Sequence, residues 1–443
     1  MKSYLVYLKP FLIIVFIVSG LNAQEISPYL IGQNYWLENG DEGRVGYIHK
    51  LWDKVEASGV KTIRIGGNGY QNNFPARTRL NNMIDSIKAI GAEPVLQVSS
   101  RFTDLQAKEL VEYYSRDNSR KVSFWSIGNE PLLHKRHTIE EVHEFVVRIA
   151  RAMKSVNSKI KIFVFDEASL EKEAYDAFVG GDMDIIGLKE NGAWLIDGMN
   201  FHNYPMGPDF DREDVIFYGP DKILKQIEHL QDLMTKANSK HNRVGKDALL
   251  WGLTEFNVTY VNPNREISGY GNPSFVGGQF MAEIFGYGMK YNAFMMNPWC
   301  ISEVDVVRTD FGYIGMPVEF YPRSTYYHMQ LISKHMKKNY IESDVNQEYV
   351  KTIVTEDETG FMVLIMNQHQ TEDFDFSLSG ANKESASELE IKLNTDTNLS
   401  YEGLISNEAT KLLVFDSNGN LKKEIDYSVE HNLRNLPPSE VSL

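Results

Sequence analysis

The feature that most constrains the fold is a regular alternation of short β-type runs with amphipathic helical stretches, which extends from Ile31 to about Met336. Strict alternation predicts a parallel sheet, because each parallel connection needs a crossover that is usually a helix. Eight such units predict an α/β fold of the closed (β/α)₈ TIM-barrel type. The predicted strands cover residues 29–36, 61–67, 93–100, 122–129, 159–166, 196–205, 248–256 and 292–299.

The helical stretches repeat their apolar residues with the 3.6-residue period of an amphipathic helix. Ile48, Leu51 and Val55, for example, fall on one stripe. Thr138 and Glu141 have the spacing of a capping box, which predicts a helix start there. The helices predicted in this way cover residues 47–59, 79–91, 138–156, 222–237 and 324–336.

An open doubly wound sheet is the alternative to a barrel, and the segment "RIGGNGY" at residues 64–70 is similar to a nucleotide-binding loop. The dinucleotide pattern G-x-G-x-x-G requires a third glycine three positions after the second. Gly67 and Gly69 match the first two positions, but Asn72 occupies the third. The sequence therefore favours the barrel without a dinucleotide site.

After Met336 the pattern changes to short alternating strands separated by turn signals. Asn418 and Gly419 lie between two β-type runs and predict a hairpin. We expect a small antiparallel β-sandwich over residues 337–443, following a (β/α)₈ barrel over residues 24–336.

The first 23 residues have the pattern of a secretory signal peptide. Lys2 and Lys9 are basic, residues 11–18 form a short apolar core, and Ala23 offers a small residue at the cleavage point. The uninterrupted apolar run is too short to span a bilayer. We therefore expect an exported protein, periplasmic or secreted, that begins at Gln24 and has no membrane span after signal removal.

The composition narrows the classes of partner and of site. A formal net charge of -15 argues against nucleic acid, whose phosphates need a basic face. Cys300 is the only cysteine, so the chain has no internal disulfide and no cysteine cluster for zinc. Stability must therefore come from the packed core.

Two of the predicted barrel strands end in a glutamate, and chemistry in such barrels occurs at the carboxyl ends of the strands. Glu130 follows the fourth strand and Glu255 ends the seventh, so both should face the same opening. A glutamate after a single strand is more often a helix cap or a solvated loop residue. A pair across a cleft is instead the equipment for cleaving a glycosidic bond, with one acid and one nucleophile or base.

The residues around these two glutamates resemble clan A of the retaining glycoside hydrolases. The resemblance rests on Asn129-Glu130-Pro131 after the fourth strand and on Thr254-Glu255-Phe256 at the seventh. The C-terminal sandwich and its closing "LPPSEVSL" look most like the families of β-xylosidases, α-L-iduronidases and α-L-arabinofuranosidases. The motifs are short, and they specify the clan rather than a family.

The resemblance implies a role for each catalytic carboxylate. Glu130 would be the general acid/base and Glu255 the nucleophile of a double displacement on a poly- or oligosaccharide. Arg64, on the second strand, would keep Glu255 ionised, because a nearby cation lowers the pKa of a carboxyl. This mechanism requires neither a metal nor an organic cofactor.

The resemblance also implies four substrate-binding residues. Asn129 would bind the sugar hydroxyl next to the reacting carbon, and Tyr204 would contact the nucleophile. His202 would bind the substrate or the acid, although a core histidine is the alternative for this position. Trp299 would form an apolar floor under the sugar ring, unless it only fills space at the barrel end.

Two alternatives to hydrolysis use the same residues. A transglycosylase differs only in the acceptor that resolves the intermediate. A carbohydrate-binding barrel without turnover is the other alternative, and the presence of Glu130, Glu255 and Arg64 argues against it.

Overall fold

A computed structural model describes residues 24–35, 47–116, 119–261, 267–303, 311–315, 320–381, 387–395 and 397–442. Eight parallel strands pair in chain order, from the first to the eighth. A parallel bridge between Ile31 and Met296 joins the two ends of this sheet and closes the predicted barrel. The barrel strands are Gly32–Tyr35, Thr62–Ile65, Glu93–Val98, Phe124–Ile127, Lys161–Glu167, Gly198–Asn203, Leu250–Phe256 and Met295–Met296.

Each barrel strand overlaps the strand that the sequence predicted. The strands are buried on both faces, since helices cover the outside and side chains fill the inside. The sixth strand, for example, is buried at every position. This explains why the strands appear in the sequence as short, nearly continuous apolar runs.

The helices around the barrel include all five that were predicted. The Thr138 hydroxyl accepts from the Glu141 amide, and the Glu141 carboxylate accepts from the Thr138 amide, so the predicted capping box is present. The sequence analysis did not predict the helix Phe275–Lys290, which is buried nearly all round and has no polar stripe. The helices are Trp52–Ala57, Asn68–Asn72, Arg77–Ala89, Asp104–Arg116, Ile139–Val156, Lys172–Phe178, Gly219–His241, Phe275–Lys290, Ser324–His335 and Val429–Leu433.

The C-terminal residues form two sheets that pack face to face on one apolar core. All strand pairs are antiparallel except that of Phe374–Gly380 with Leu389–Leu393. The predicted hairpin is present, with Gly419 at a φ of 80° in its turn. One sheet contains Gln24–Glu25, Asn339–Ile341, Val350–Asp357, Gly360–Asn367, Ala409–Asp416, Leu421–Ser428 and Ser439–Val441, and the other contains Ser343–Val345, Phe374–Gly380, Leu389–Leu393 and Ser400–Ile405.

The sandwich packs directly against the barrel through buried polar contacts. The Gln279 amide donates to the Asn367 carbonyl at 3.2 Å. His328 lies 2.8 Å from the Thr410 hydroxyl, and burial lowers the pKa of His328 to about 4. Arg212, on the segment after the sixth strand, donates to Glu408 at 3.1 Å. These contacts join two barrel helices, and the segment after the sixth strand, to the larger C-terminal sheet and to the residue that precedes one of its strands.

Within the described ranges, none of the helices combines the length and the apolar character needed to cross a membrane. The predicted signal peptide, residues 1–23, lies outside the described residues, as does Trp36 at the end of the first predicted strand. Gln24 pairs with Tyr340 in the larger C-terminal sheet, so the first described strand belongs to the sandwich rather than to the barrel.

Candidate active site

The two glutamates singled out in the sequence lie together at the carboxyl end of the barrel. Glu130 is 7% exposed and Glu255 is 6% exposed. A carboxylate oxygen of each lies within 4.8 Å of the other, and both lie within that distance of a ring nitrogen of His202. Retaining glycosidases separate their carboxyl groups by about 5–5.5 Å, against about 6.5–9.5 Å for inverting enzymes. The limit of 4.8 Å between the nearest oxygens is compatible with the shorter, retaining separation and lies below the inverting one.

Glu130 stands on a turn that the fifth strand supports. Gly128 has a φ of 79° and Glu130 a φ of 45°, a left-handed conformation that is unfavourable for a residue with a side chain. The Glu130 amide donates to the Asp166 carbonyl at 2.6 Å. The Leu132 amide donates to the Glu167 carboxylate at 3.0 Å. These bonds stabilise the conformation that presents Glu130 to the cleft.

Glu255 is placed by a β-bulge in the seventh strand. Leu253 pairs with Phe201 and Glu255 pairs with His202, so Thr254 is an extra residue on its strand. The Thr254 hydroxyl donates to Asp166 at 2.8 Å. Consecutive residues of a regular strand point to opposite faces. The bulge therefore lets Thr254 and Glu255 contact the same group of side chains.

Arg64 connects the nucleophile candidate with the interior of the barrel. It is fully buried and donates to Glu255 at 2.8 Å, to Asp166 at 3.0 and 3.2 Å, and to Asn129 at 2.6 Å. Burial alone would lower the pKa of Arg64, but the charges of Asp166 and Glu255 raise it above its ordinary value. The remaining acceptors are the side chains of Asn34 and Gln97.

Asp166 is the main site residue that the sequence analysis missed. It is fully buried and accepts from Asn200 at 2.9 Å as well as from Thr254 and Arg64. Burial would raise the pKa of Asp166, but Arg64 and His202 pull it below the ordinary value. Asp166 lies near the carboxyl end of the fifth strand, as Glu255 does on the seventh. That position in the sequence could have identified Asp166 as a site residue.

His202 and Tyr204 contact the two glutamates from the sixth strand and the residues just after it. Tyr204 donates its hydroxyl to Glu255 at 3.1 Å. His202 is fully buried, with its Nδ1 3.2 Å from Glu130 and 3.7 Å from Glu255. No described residue pairs with its Nε2. The imidazole therefore bridges the two carboxylates, rather than serving as an ordinary core histidine.

Asn129 lies beside the general-acid candidate with one end of its amide free of protein contacts. Its oxygen accepts from Arg64, and among the described residues no hydrogen bond to its nitrogen is found. Because Arg64 is only a donor, the oxygen of Asn129 must face it. The nitrogen therefore faces away from Arg64 and donates to none of the described residues.

Trp299 forms an apolar wall of the same opening. It is 9% exposed, packs with Tyr204, and donates its ring nitrogen to Glu303 at 3.1 Å. A Cβ placed on Gly67 would come within 2.8 Å of the indole ring, so the backbone of the loop after the second strand lies directly against it. A cis peptide bond joins Trp299 to Cys300.

The pKa values of the two glutamates are shifted in opposite directions. Burial raises the pKa of Glu255, although His202 and Arg64 oppose this effect. Burial acts in the same direction on Glu130, but hydrogen bonds from His202 and Asn68 bring its pKa below the ordinary value. We expected Arg64 to keep Glu255 ionised and Glu130 to hold the proton. The directions of the two pKa shifts are opposite to this expectation, since burial outweighs Arg64 at Glu255 and hydrogen bonds outweigh burial at Glu130.

Two further side chains at Glu130 were missed by sequence reasoning. Asn68 donates its amide to Glu130 at 3.0 Å, and Arg136 donates to the amide oxygen of Asn68 at 2.7 Å. The sequence analysis assigned neither residue to the site. The pattern contained no signal for Asn68, whose position depends on the approach of two loops.

Glu167 is a third carboxyl group close to the acid/base candidate. It is 1% exposed, and its Oε2 has no hydrogen-bond partner among the described residues. Burial raises the pKa of Glu167 to about 8, and the charge of Glu130 adds to this effect. Glu167 is therefore protonated at neutral pH while its other oxygen accepts from the Leu132 amide.

Glu130, His202 and Glu255 have the donor types and the spacing that could hold a metal ion. Arg64 already donates to Glu255 at 2.8 Å, which places a positive charge beside these ligands. A cation in this position would be repelled by the guanidinium. The donor set is thus better matched to proton transfer than to metal binding.

Comparison with known proteins supports the fold and leaves the family open. No family model matches the chain, and no curated protein matches it. Solved structures match along most of its length. The α-L-arabinofuranosidase from Thermotoga maritima, in complex with arabinose, has a TM-score of 0.60 at 14% identity and covers 95% of this chain and 98% of its own.

Two other solved structures show the same similarity. A family 51 arabinofuranosidase from Xanthomonas axonopodis pv. citri has a TM-score of 0.62 at 12% identity, covering 95% of this chain and 92% of its own. A family 44 xyloglucanase from Paenibacillus polymyxa has a TM-score of 0.59 at 11% identity, covering 89% of this chain and 97% of its own. At these identities the likeness shows that the chain shares their fold.

Proposed function

We propose that the protein is a retaining glycoside hydrolase that cleaves a poly- or oligosaccharide by double displacement. The observation that carries the proposal is the buried pair Glu130 and Glu255, whose nearest carboxylate oxygens lie within 4.8 Å at the open end of the barrel. The names of the structural neighbours, an arabinofuranosidase and a xyloglucanase among them, support a carbohydrate substrate.

In the first step, a carboxylate oxygen of Glu255 forms a bond to the anomeric carbon while the glycosidic bond breaks. Glu130 gives its proton to the departing oxygen. Arg64 and Tyr204 each donate to one oxygen of Glu255, so they orient its lone pairs before attack. In the second step, Glu130 takes a proton from water, which attacks the same carbon and releases Glu255. The product keeps its configuration.

This chemistry needs one proton on the carboxylate pair, and the site is built to hold one. The two carboxyl groups interact closely, so they titrate as a pair rather than separately. Burial raises the pKa of Glu255 while hydrogen bonds lower that of Glu130, so without substrate the shared proton is favoured on Glu255. Transfer to Glu130 must accompany substrate binding. His202 lies within 3.7 Å of both carboxylates and provides the connecting group.

The sugar is expected to lie between Asn129 and Trp299. The free amide nitrogen of Asn129 would donate to the hydroxyl next to the reacting carbon, and the indole of Trp299 would contact the apolar face of the ring.

Tyr260 and Tyr270 follow the seventh strand and are 55% and 41% exposed. Their rings are suited to stacking against further sugar units.

We also propose that the chain is exported, as its first 23 residues indicate, and that the mature protein begins at Gln24. Mass spectrometry of the protein recovered from the periplasm or medium of an expressing bacterium tests this. A mature mass starting at Gln24 is the expected result. Recovery only of the full-length chain inside the cell would contradict it.

The function is tested by hydrolysis of a panel of aryl glycosides, including α-L-arabinofuranosides and β-xylosides, together with plant and algal polysaccharides. Wild type is compared with Glu255→Ala and Glu130→Ala, each with and without azide. Azide should restore Glu255→Ala and yield a glycosyl azide of inverted configuration. It should restore Glu130→Ala on activated aryl glycosides and yield a glycosyl azide of retained configuration.

Glu93→Ala is a matched control, because Glu93 begins the third strand at the opposite end of the barrel and pairs with Lys88. This variant should keep wild-type activity. Full activity of Glu255→Ala on a cleaved substrate would refute the assignment of the nucleophile. Product analysis with an added acceptor sugar separates hydrolysis from transglycosylation.

A further inference from the structure

Asn68 contacts the acid/base candidate but has no role in the mechanism given above. Its amide nitrogen lies 3.0 Å from Oε2 of Glu130, the oxygen that His202 does not contact. Its amide oxygen accepts from Nη1 of Arg136 at 2.7 Å. Asn68 begins the short helix after the second strand, and Arg136 lies on the exposed loop after the fourth. Two separate loops therefore meet at Glu130.

The orientation of the Asn68 amide follows from its neighbours. A guanidinium can only donate hydrogen bonds, so the side of Asn68 that faces Arg136 must be the oxygen. The NH₂ group must then face Glu130. A donor in this position stabilises an ionised carboxylate more than a neutral carboxyl. Without Arg136 the amide could rotate and accept a hydrogen bond from the protonated acid.

We propose that Asn68, oriented by Arg136, is a positioning residue that stabilises the carboxylate form of Glu130. The inference rests on the proposed function, in which Glu130 is the acid/base. When Glu130 gives its proton to the departing oxygen, the electron pair of the O–H bond stays on the carboxylate, where Asn68 donates to it. Glu130 is therefore a stronger general acid for poor leaving groups, which need a proton in order to depart.

Other charged or titratable groups also act on Glu130 and must be distinguished from Asn68. They reach it from strands two, five, six and seven and from its own loop. Apart from Arg136, which acts through the Asn68 amide, they do not contact Glu130 by way of Asn68, so variants of Asn68 test this one contact. These groups are Arg64, Asp166, Glu167, His202, Glu255 and Arg136.

The direct test is a titration of the full-length mature protein, labelled with ¹³C at the glutamate carboxyl carbon and followed by NMR. The Glu130 signal is identified by its absence in Glu130→Gln. Asn68→Leu should move the Glu130 titration to higher pH, and Arg136→Met should move it in the same direction by less. Arg136→Lys keeps a donor and should restore most of the wild-type behaviour.

Lys135→Gln is the matched control, since it removes a neighbouring exposed positive charge from the same loop, and it should leave the titration unchanged. An unchanged Glu130 titration in a folded Asn68→Leu protein would overturn the proposal. An equal shift in Lys135→Gln would also overturn it, because loop charge alone would then be sufficient. The readout requires no turnover, so it remains valid if the proposed hydrolysis fails.

A second measurement uses an aryl glycoside that the panel identifies, with 2,4-dinitrophenyl and phenyl leaving groups. A dinitrophenolate departs without protonation, so Asn68→Leu should leave its kcat/KM nearly unchanged. The phenyl glycoside needs the acid, and we expect about a tenfold loss, as for one hydrogen bond to a charged group. Equal losses on both substrates would indicate a merely structural role for Asn68.

Discussion

Asp166 accepts two hydrogen bonds from Arg64, at 3.0 and 3.2 Å, so the cation beside the nucleophile candidate is already paired with another carboxylate. Both side chains are fully buried. The negative charge of Asp166 therefore offsets part of the effect of Arg64 on Glu255. Burial disfavours the ionised form of Glu255, so its pKa remains above the ordinary value although Arg64 lies 2.8 Å away.

Replacing Asp166 with asparagine should strengthen the electrostatic effect of Arg64 on Glu255, because it removes a neighbouring negative charge. The pKa of Glu255 should fall, because the carboxylate of Asp166 would no longer offset the charge of Arg64. The acidic limb of the pH profile of kcat/KM should move to lower pH. We also expect a loss of roughly 3 kcal/mol in the free energy of unfolding, because a buried ion pair is broken. Kinetics across pH and urea denaturation measure the two effects.

Asp197→Asn is the control for this prediction. Asp197 forms a buried ion pair with Lys154 at 2.7 Å, and its side chain is 7% exposed. Its replacement should lower stability without moving the pH profile. If both variants move the pH profile equally, the effect of replacing Asp166 is general destabilisation rather than the loss of its charge beside Arg64.

Tyr204→Phe should reduce activity while the fold is retained. The variant keeps the ring that packs with Trp299 and removes only the hydroxyl that donates to Glu255 at 3.1 Å. A hydrogen bond to a charged group contributes about 1.5–3 kcal/mol, which corresponds to a decrease in kcat of about ten- to a hundredfold. Steady-state kinetics and thermal unfolding check this; an unchanged kcat would show that the hydroxyl does not act on the nucleophile.

Glu167→Gln should make the protein more stable in alkaline solution. The pKa of Glu167 is raised to about 8 in the folded state, whereas an unfolded glutamate titrates near its ordinary value. The folded state thus binds the extra proton, so the contribution of Glu167 to stability is present at low pH and is lost as the pH rises toward 8. Glutamine cannot ionise and still accepts from the Leu132 amide.

The expected gain of Glu167→Gln over wild type is about 4 to 5 kcal/mol at pH 8 and should vanish near pH 4. Urea denaturation at a series of pH values measures it. A difference between the two proteins that does not change with pH would show that Glu167 is not protonated in the native state. Glu173→Gln, an exposed substitution on the following helix, should leave the pH dependence of stability as in wild type.

Gly67→Ala should weaken substrate binding. Gly67 has a φ of 95°, and an added Cβ would lie 2.8 Å from the indole of Trp299. The clash must displace either the ring or the loop after the second strand. We expect KM to rise more than kcat falls, together with a change in tryptophan fluorescence. Gly91→Ala is a control for backbone strain alone, because Gly91 has a φ of 73° and open space around its Cβ position.

Much of the fold was accessible to sequence reasoning because its signals are local. Each barrel strand is a short apolar run, and the capping box of Thr138 and Glu141 involves residues three positions apart. The helix Phe275–Lys290 was missed for the same reason: it is buried nearly all round, so its sequence has no periodic polar face. A pattern can reveal a helix only where one side remains in water.

The candidate site, like the fold, could be predicted only in part from the sequence. By itself, the sequence determined that Glu130 and Glu255 end strands of one barrel, and a barrel brings the ends of its strands together. Only the tertiary structure decided how charge is distributed there. Asp166 reaches Arg64 from 102 residues away along the chain, and Asn68 reaches Glu130 from 62. Electrostatic effects between buried groups depend on separations of 3 to 4 Å across different strands, and no local pattern specifies such separations.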